Sequence, residues 1–253
     1  MLAKERHRII LHKVQDAGCA RVAALAKELV VTEETIRRDL EKLDSEGKLQ
    51  RIHGGAVTIE HDRRELPLGI RETVKIHEKR AIAEACIKYI AEGDVIALDA
   101  SSTAGELAKA MPDIPLTVVT NSVAVATILA GRSRIRVIST GGILDSPSLS
   151  FIGPIAEQTL ERFHIRKLFF SCKGLDLERG LSVTADEHAG IKRKMLDLCE
   201  TAYLLADGSK FATKAVEFFG SVQEVDVVIT DTTTDNAIIE KLRAMGVTVD
   251  VAD

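Results

Sequence analysis

Apolar and polar positions along the chain fall into two regimes. Up to about residue 58 the apolar positions recur at helical spacing. Ala3 to Asp16 sets Ile9, Ile10 and Val14 on one side and Lys4, Arg6, Arg8 and Lys13 on the other, and Gly18 ends the stretch. Val22 to Leu29 gathers Val22, Leu25, Ala26 and Leu29 on one side. Val30-Val31 is a tight connection into Thr32, a residue type whose hydroxyl caps a helix by accepting a free first-turn amide. Glu33 and Glu34 suit the positive end of the helix dipole, although Thr35 stands where a full capping box places Glu or Gln. Ile36, Leu40 and Leu43 then form a stripe at i, i+4 and i+7. Gly47 closes this helix, Lys48 to Gln50 starts a strand, Gly54-Gly55 turns it and Ala56 to Ile59 returns. The pattern predicts helix, turn, helix and hairpin.

The second regime begins at Lys79. A helix over Arg80 to Ala91 precedes apolar, β-rich runs at Val95–Asp99, Leu116–Val119, Ile135–Ser139, Lys167–Ser171, Ala202–Ala206, Val227–Thr230 and Val247–Val251. Helical patterns at Ala104–Met111, Val123–Ala130, Ile155–Arg162, Glu187–Glu200 and Asp235–Met245 lie between them. Such alternation predicts an α/β domain with a mostly parallel sheet covered on both faces. Between the regimes, Ile59 to Glu78 is charge-rich, carries Pro67 and Gly69 and has no sustained period, so it reads as a linker. Residues 1–58, 59–78 and 79–253 are therefore the expected domain, linker and domain.

The exposed face of the third helix carries candidate chemistry. At about 100° per residue, Glu34, Arg38, Glu41 and Lys42 lie opposite the apolar stripe, with Thr35 and Arg37 beside them. Short hydroxyls and guanidinium groups thus occupy the end that a recognition helix pushes into the major groove. Arginine there reads guanine bidentately or holds a phosphate. The alternative is that Arg37 and Arg38 are solvated surface charges balanced by Asp39 and Glu41, and Arg63 and Arg64 belong to a solvated linker.

Composition narrows the partner. Trp is absent and aromatics make up 4% of the 253 residues, which leaves no stacking platform for single strands or RNA. The formal net charge is −4, yet residues 1–58 carry 11 Lys and Arg against 9 Asp and Glu. That modest asymmetry fits a few placed contacts multiplied by oligomerisation better than a broad basic surface. Cys19, Cys86, Cys172 and Cys199 are scattered, with no C-x-x-C pair and no histidine at zinc-like spacing. They read as reduced thiols of a cytoplasmic protein, with no structural metal. The opening MLAKERHRII interleaves charge with apolar residues, unlike a signal peptide, and no run approaches membrane-spanning length.

Ligands of open α/β sheets bind beyond the carboxyl ends of the strands. There the sequence places Asp99-Ala100-Ser101-Ser102-Thr103, Thr120-Asn121-Ser122, Thr140-Gly141-Gly142, Cys172-Lys173-Gly174 and Asp207-Gly208-Ser209-Lys210. Ser101, Ser102 and Thr103 at a helix start fit a phosphate cradle. Lys173 and Lys210 supply countercharge, and Asp99 and Asp207 accept from sugar hydroxyls. The set points to a small phosphorylated polyol. Glu187 and His188, in a helix first turn, are placed to reach the pocket from one side, whereas Lys192, Arg193 and Lys194 read as a solvated face or a subunit contact.

Two stretches resemble the DeoR family of bacterial transcriptional regulators. The first is Thr35-Ile36-Arg37-Arg38-Asp39-Leu40 followed by Leu43, Gly47, Leu49, Arg51 and His53-Gly54-Gly55-Ala56. This resemblance implies a winged helix-turn-helix whose hairpin is the wing, with Thr32, Glu34, Thr35, Arg37 and Arg38 at the groove and Arg51, His53 and Gly54 in the wing. The second runs from about Lys79 to near the C-terminus and resembles the family's sensor domain, which is similar to ribose-5-phosphate isomerase. It implies an effector, a phosphorylated sugar or catabolic intermediate, at Asp99, Ser101–Thr103, Thr120, Asn121, Gly141, Gly142, Lys173, Asp207 and Lys210. The family's first loop commonly runs Asp-x-Gly-Ser/Thr-Thr; here Ser101 replaces the glycine.

The expected function is a repressor of a sugar-catabolism operon, a dimer or tetramer on double-stranded operator DNA, released by its effector and using no cofactor or catalytic residue. The alternatives are a sugar-phosphate isomerase-like enzyme, which has no need of a winged domain, and a DNA-binding structural protein, which has no need of the polar strand ends.

Overall fold

The computed structural model describes residues 1–52, 54–57 and 66–253. The expected site residue His53, and Arg63 and Arg64 of the expected linker, lie outside the described residues. The chain divides into two compact units, Met1–Val74 and Lys75–Asp253.

In the first unit α1 (Ala3–Ala17), α2 (Val22–Leu29) and α3 (Glu33–Ser45) pack around Ile10, Val14, Leu25, Ile36, Leu40 and Leu43, the stripes that their spacing predicts. The wing has three strands rather than two. β2 (Gln50–Ile52) and β3 (Gly55–Val57) form the hairpin, and β1 (Cys19–Arg21), which the sequence pattern does not show, pairs antiparallel with β3. The glycine at 55 is required by this pairing, because a Cβ there would lie 2.2 Å from the Ala20 carbonyl oxygen.

Arg6 differs from expectation. It is buried, not outward, and its Nη2 donates to Asp39 Oδ1 at 3.0 Å. Its Nε donates to the other oxygen, and His7 Nε2 lies 2.9 Å from Oδ1. Asp39 is therefore a buried anchor between α1 and α3 and not a surface counterion. Burial alone would raise its carboxyl, but the hydrogen bonds from Arg6 and His7 outweigh that and hold it below the usual range.

Past Pro67 the stretch expected to be linker contains a helical turn, α4 (Leu68–Arg71), with Leu68 and Ile70 buried. It also contains the start of α5 (Ile76–Cys86), so this helix begins before Arg80.

The second unit is built on a parallel seven-stranded sheet. Its strands are β4 (Val95–Leu98), β5 (Leu116–Thr120), β6 (Ile135–Ser139), β9 (Ile165–Phe170), β12 (Cys199–Leu205), β14 (Val227–Asp231) and β15 (Thr248–Ala252). Their order is β15-β14-β12-β9-β4-β5-β6. All seven coincide with runs expected to be strands. Alternate residues serve opposite faces. Ile96, Leu98, Phe169, Tyr203 and Leu205 belong to one core with α5, α6 (Ser102–Ala110) and α7 (Val123–Leu129). Ala97, Leu168, Phe170, Ala202 and Leu204 belong to the other, with α8 (Pro154–Leu160), α9 (Asp186–Leu198) and α10 (Asn236–Ala244). Phe169 and Tyr203 stack with ring centroids 4.7 Å apart within the first core.

Two small antiparallel additions escape the sequence pattern. β7 (Ile143–Asp145) and β8 (Ser150–Ile152) form a hairpin, and β10 (Gly174–Asp176), β11 (Gly180–Val183) and β13 (Glu217–Gly220) form a three-stranded sheet. From β4 the chain moves out through β5 to β6, then returns to lay β9 on β4's other side. The helix after β4 covers one face and the helix after β9 covers the other. The β4/β9 boundary is thus a topological switch point, where open α/β sheets present a crevice.

Candidate functional site

On the winged unit, Thr32 caps α3 by accepting from the Thr35 amide at 3.2 Å, and the two hydroxyls lie 2.9 Å apart. The exposed arginines are each met one turn back on their own helix. Arg37 donates to Glu33 at 2.6 Å and Arg38 to Glu34 at 3.2 Å. Arg38 has a side chain 77% exposed, so its pairing is solvated and exchangeable. In the wing, the Arg51 amide donates to Asp44 at 3.0 Å, which ties the hairpin to the end of α3 and leaves the guanidinium 4.0 Å from Glu41. Gly54 is exposed at the turn, with its carbonyl accepting from the Val22 amide at 2.8 Å. The structure therefore groups Thr32, Glu34, Thr35, Arg37 and Arg38 on one helix end and Arg51 and Gly54 in the wing.

At the switch point of the second unit, Asp99 is almost fully buried beyond β4. Its Oδ1 accepts from the Ser101 amide at 3.0 Å and its Oδ2 from the Ser171 amide at 3.0 Å. Oδ2 also accepts from Lys192 Nζ, and the same ammonium donates to the Ser171 carbonyl at 2.8 Å. Lys192 is thus not a solvated charge: it reaches from α9 to the carboxyl ends of β4 and β9. Its neighbours behave differently. Arg193 pairs with Asp197 and Glu224, and Lys194 with Glu161.

The loop after β4 is organised by Ser101. Its hydroxyl caps α6 by accepting from the Ala104 amide at 3.1 Å, and its φ of −77° needs no glycine. Ser102 and Thr103 follow in the first turn, both buried. After β5, Thr120 is fully buried, donates its hydroxyl to the Leu98 carbonyl at 2.7 Å and accepts from the Ser122 amide at 3.0 Å. It braces the loop. Asn121 follows, buried, with Nδ2 donating to the Phe151 carbonyl at 3.0 Å. Gly142 has φ +116°, and a Cβ there would lie 2.9 Å from the Ile152 carbonyl oxygen, so its lack of a side chain serves packing against β8. Gly141, at φ +62°, faces open space.

After β9, Cys172 is buried, and that burial pushes its thiol up to about 12. Lys210 and Lys192 oppose the shift while Asp207 and Asp99 reinforce it, so the field of all four charges reaches this one side chain. Lys173 donates its amide to the Ser182 carbonyl at 2.9 Å. Asp207, buried, accepts from the Ser209 amide at 3.0 Å and opens the turn that carries Lys210. Glu187 is exposed in the first turn of α9, and its neighbour His188 lies 3.5 Å from Asp145 of the hairpin. A groove of about 710 Å³ has Asp176, Glu178 and Lys241 among its lining residues beside Leu175, Phe211 and Ile238, and none of the candidate residues borders it. No group of three or more His, Cys, Asp and Glu among the described residues is arranged to hold a metal ion. No helix among them is long and apolar enough to cross a membrane.

A winged helix-turn-helix joined to a parallel α/β domain with a polar switch-point crevice defines the class of two-domain transcriptional regulators. Residues 6–62 match the DeoR-like helix-turn-helix domain and residues 74–232 the DeoR C terminal sensor domain. The chain belongs to the DeoR family. It is 46% identical over 242 residues to an uncharacterized HTH-type transcriptional regulator, YulB, of Bacillus subtilis, covering 96% of this chain and 94% of that one. It is 38% identical to the L-fucose operon activator of Haemophilus influenzae, covering 89% and 91% of the two chains. It is 32% identical to the transcriptional repressor AccR of Agrobacterium fabrum, covering 95% of each. Ribose-5-phosphate isomerase A of Methanocaldococcus jannaschii aligns over 53% of both chains with a TM-score of 0.40 and 14% identity.

Proposed function

We propose that the protein is a cytoplasmic repressor of a carbohydrate-catabolism operon that leaves its operator when a phosphorylated sugar or catabolic intermediate binds. The observation that carries this reading is the pairing of buried Asp99 with Lys192 at the carboxyl edge of the sheet, where buried Asp207 opens the turn that carries Lys210. Cations beside buried hydroxyl-accepting carboxylates suit a ligand that is anionic at one end and hydroxylated at the other. The first turn of α6, with Ser102 and Thr103, adds helix-end amides that favour phosphate. Ser101, Gly141 and Lys173 border the same edge, while Thr120 and Gly142 act by holding its loops.

On the DNA side, α3 enters a major groove with Thr32, Glu34, Thr35, Arg37 and Arg38, and Arg51, His53 and Gly54 of the wing lie along the backbone or minor groove. A homo-oligomer, dimer or tetramer, presents two or more such units to repeated half-sites, and the joint effect multiplies weak single contacts. The effector acts by its difference in affinity between the two states of the regulator. Repression is favoured over activation because an effector that disperses half-sites needs no further contact with polymerase. The relatives include both signs, so the sign belongs to the test.

The isomerase alternative asks for a free acid/base group, whereas Asp99 gives its two oxygens to three donors. The test is a thermal-shift screen of the full chain against sugar phosphates and their unphosphorylated parents, followed by operator binding with and without each hit. A native-state ligand raises the melting temperature by mass action. A phosphosugar that shifts melting and weakens operator binding supports the reading. A ligand that strengthens operator binding makes the protein an activator or co-repressed regulator, and no shift from any sugar phosphate removes the effector assignment.

A further inference from the structure

Asn121 is 2% exposed and is tied to Phe151 by both its backbone and its side chain. Its backbone carbonyl accepts from the Phe151 amide at 2.7 Å, and its Nδ2 donates to the Phe151 carbonyl at 3.0 Å. That second bond fixes which way the amide points, since a flipped amide would set two acceptor oxygens against each other. The atom left over is Oδ1. It is buried and has no hydrogen-bond partner among the described residues. A buried acceptor without a donor is rare and carries a free-energy cost in the unliganded protein.

Its place in the sheet is well defined. Leu98 of β4 is paired with Thr120 of β5, so Asn121 stands abreast of Asp99 across one strand spacing. The Thr120 carbonyl accepts from the Thr140 amide at 3.0 Å on the other side. Asn121 therefore lies between the loop of Asp99 and the loop of Gly141, at the carboxyl edge assigned above to the effector.

The chemistry of the missing partner follows from the acceptor. A phosphate dianion offers only acceptor oxygens, so it gains nothing at Oδ1. A hydroxyl group offers the donor that is lacking. We propose that Asn121 is a specificity-determining residue whose Oδ1 accepts a hydrogen bond from a hydroxyl of the effector. This deepens the reading of the site and rests on it. It also separates two roles that the cluster of strand-end residues does not separate by type. The phosphate belongs with the α6 first turn and the lysines, and the hydroxylated body of the ligand belongs at Asn121.

The experiment uses the full chain with glucose 6-phosphate, fructose 6-phosphate, fructose 1-phosphate, ribose 5-phosphate and glycerol 3-phosphate as probes, each beside its monodeoxy analogues. Binding is read by thermal shift and by calorimetry, for the wild type and for Asn121→Ala. One analogue of a binding phosphate is expected to bind about tenfold more weakly than its parent, the loss of one hydrogen bond. In Asn121→Ala the parent is expected to fall to the affinity of that analogue. Equal binding of all monodeoxy analogues, or discrimination that persists in Asn121→Ala, overturns the proposal. Should the variant not fold, a crystal structure of the wild-type complex decides: a ligand hydroxyl within about 3.2 Å of Oδ1 supports it, and a water or no atom there overturns it. A sugar phosphate that binds without hydroxyl discrimination defeats this inference alone. Binding by none of the probes defeats the reading of the site as well.

Discussion

Lys192 of α9 donates to Asp99 beyond β4, and the same ammonium caps the carbonyl of Ser171 beyond β9. One side chain thereby closes the gap between the two strands that flank the switch point. The Asp99 side chain is 2% exposed and that of Lys192 12%, so the pair is shielded from solvent. Replacing Lys192 with Met keeps its length and strands a buried carboxylate. The expected cost is about 3 kcal/mol of sensor-domain stability, read from urea unfolding of the full chain. The double variant Lys192→Met with Asp99→Asn is expected to recover part of that loss, because no charge is then left unpaired.

Asp39 makes the winged unit sensitive to acid. Its folded carboxyl is held below the unfolded value. The stability it contributes is complete above the unfolded value of about 3.9 and is lost as pH falls through the lower folded value. The protection factors of the α3 amides in the full chain, exchange corrected for its intrinsic pH dependence, are expected to fall below about pH 4. Asp39→Asn is expected to flatten that profile and to raise exchange at neutral pH, since Arg6 then lacks its counter-charge.

Glu33 and Glu34 partly neutralise the arginines that face outward from α3. Glu34→Gln frees Arg38 for a phosphate. Its expected effect is tighter binding to DNA of any sequence and a steeper dependence on salt, measured by electrophoretic mobility at several ionic strengths. Arg38→Ala is expected to lower the preference for operator over random DNA about tenfold, within the range for one base-reading arginine. Unchanged preference would remove Arg38 from base recognition.

Val30 ends α2 in the left-handed region, at φ +54°, with 87% of the residue exposed. A β-branched residue is strained there and buries nothing in return. Val30→Gly is expected to stabilise the winged unit by up to about 1 kcal/mol, seen as a rise of a few degrees in its melting temperature. No change, or a fall, would show that the turn is held by contacts the substitution disturbs.

The sheet was legible because its strands are short apolar runs bounded by turn residues, such as Val95–Leu98 before Asp99 and Val227–Asp231 before the Thr232–Thr234 cluster. What escaped has a weaker pattern. β1 is three residues long and contains Arg21, and β7, β8, β10 and β11 are three or four residues each, too short for alternation to show. Arg6 and Lys192 were misread for one reason. A cation flanking an apolar stripe turns inward only when a buried carboxylate from elsewhere in the chain waits for it, and Asp39 and Asp99 lie 33 and 93 residues away. Asn121 was legible as a strand-end residue, but the direction of its amide depends on Phe151, thirty residues on.

The two hydrophobic cores of the sensor domain lie on opposite faces of the sheet and share no side chain. The helices of one core supply Ser102 and Thr103; a helix of the other supplies Lys192. A rivet between two plates behaves in this way: the plates keep their own stiffness, while the joint alone decides how they bear on each other. Substitutions that retune the joint can therefore leave both plates intact.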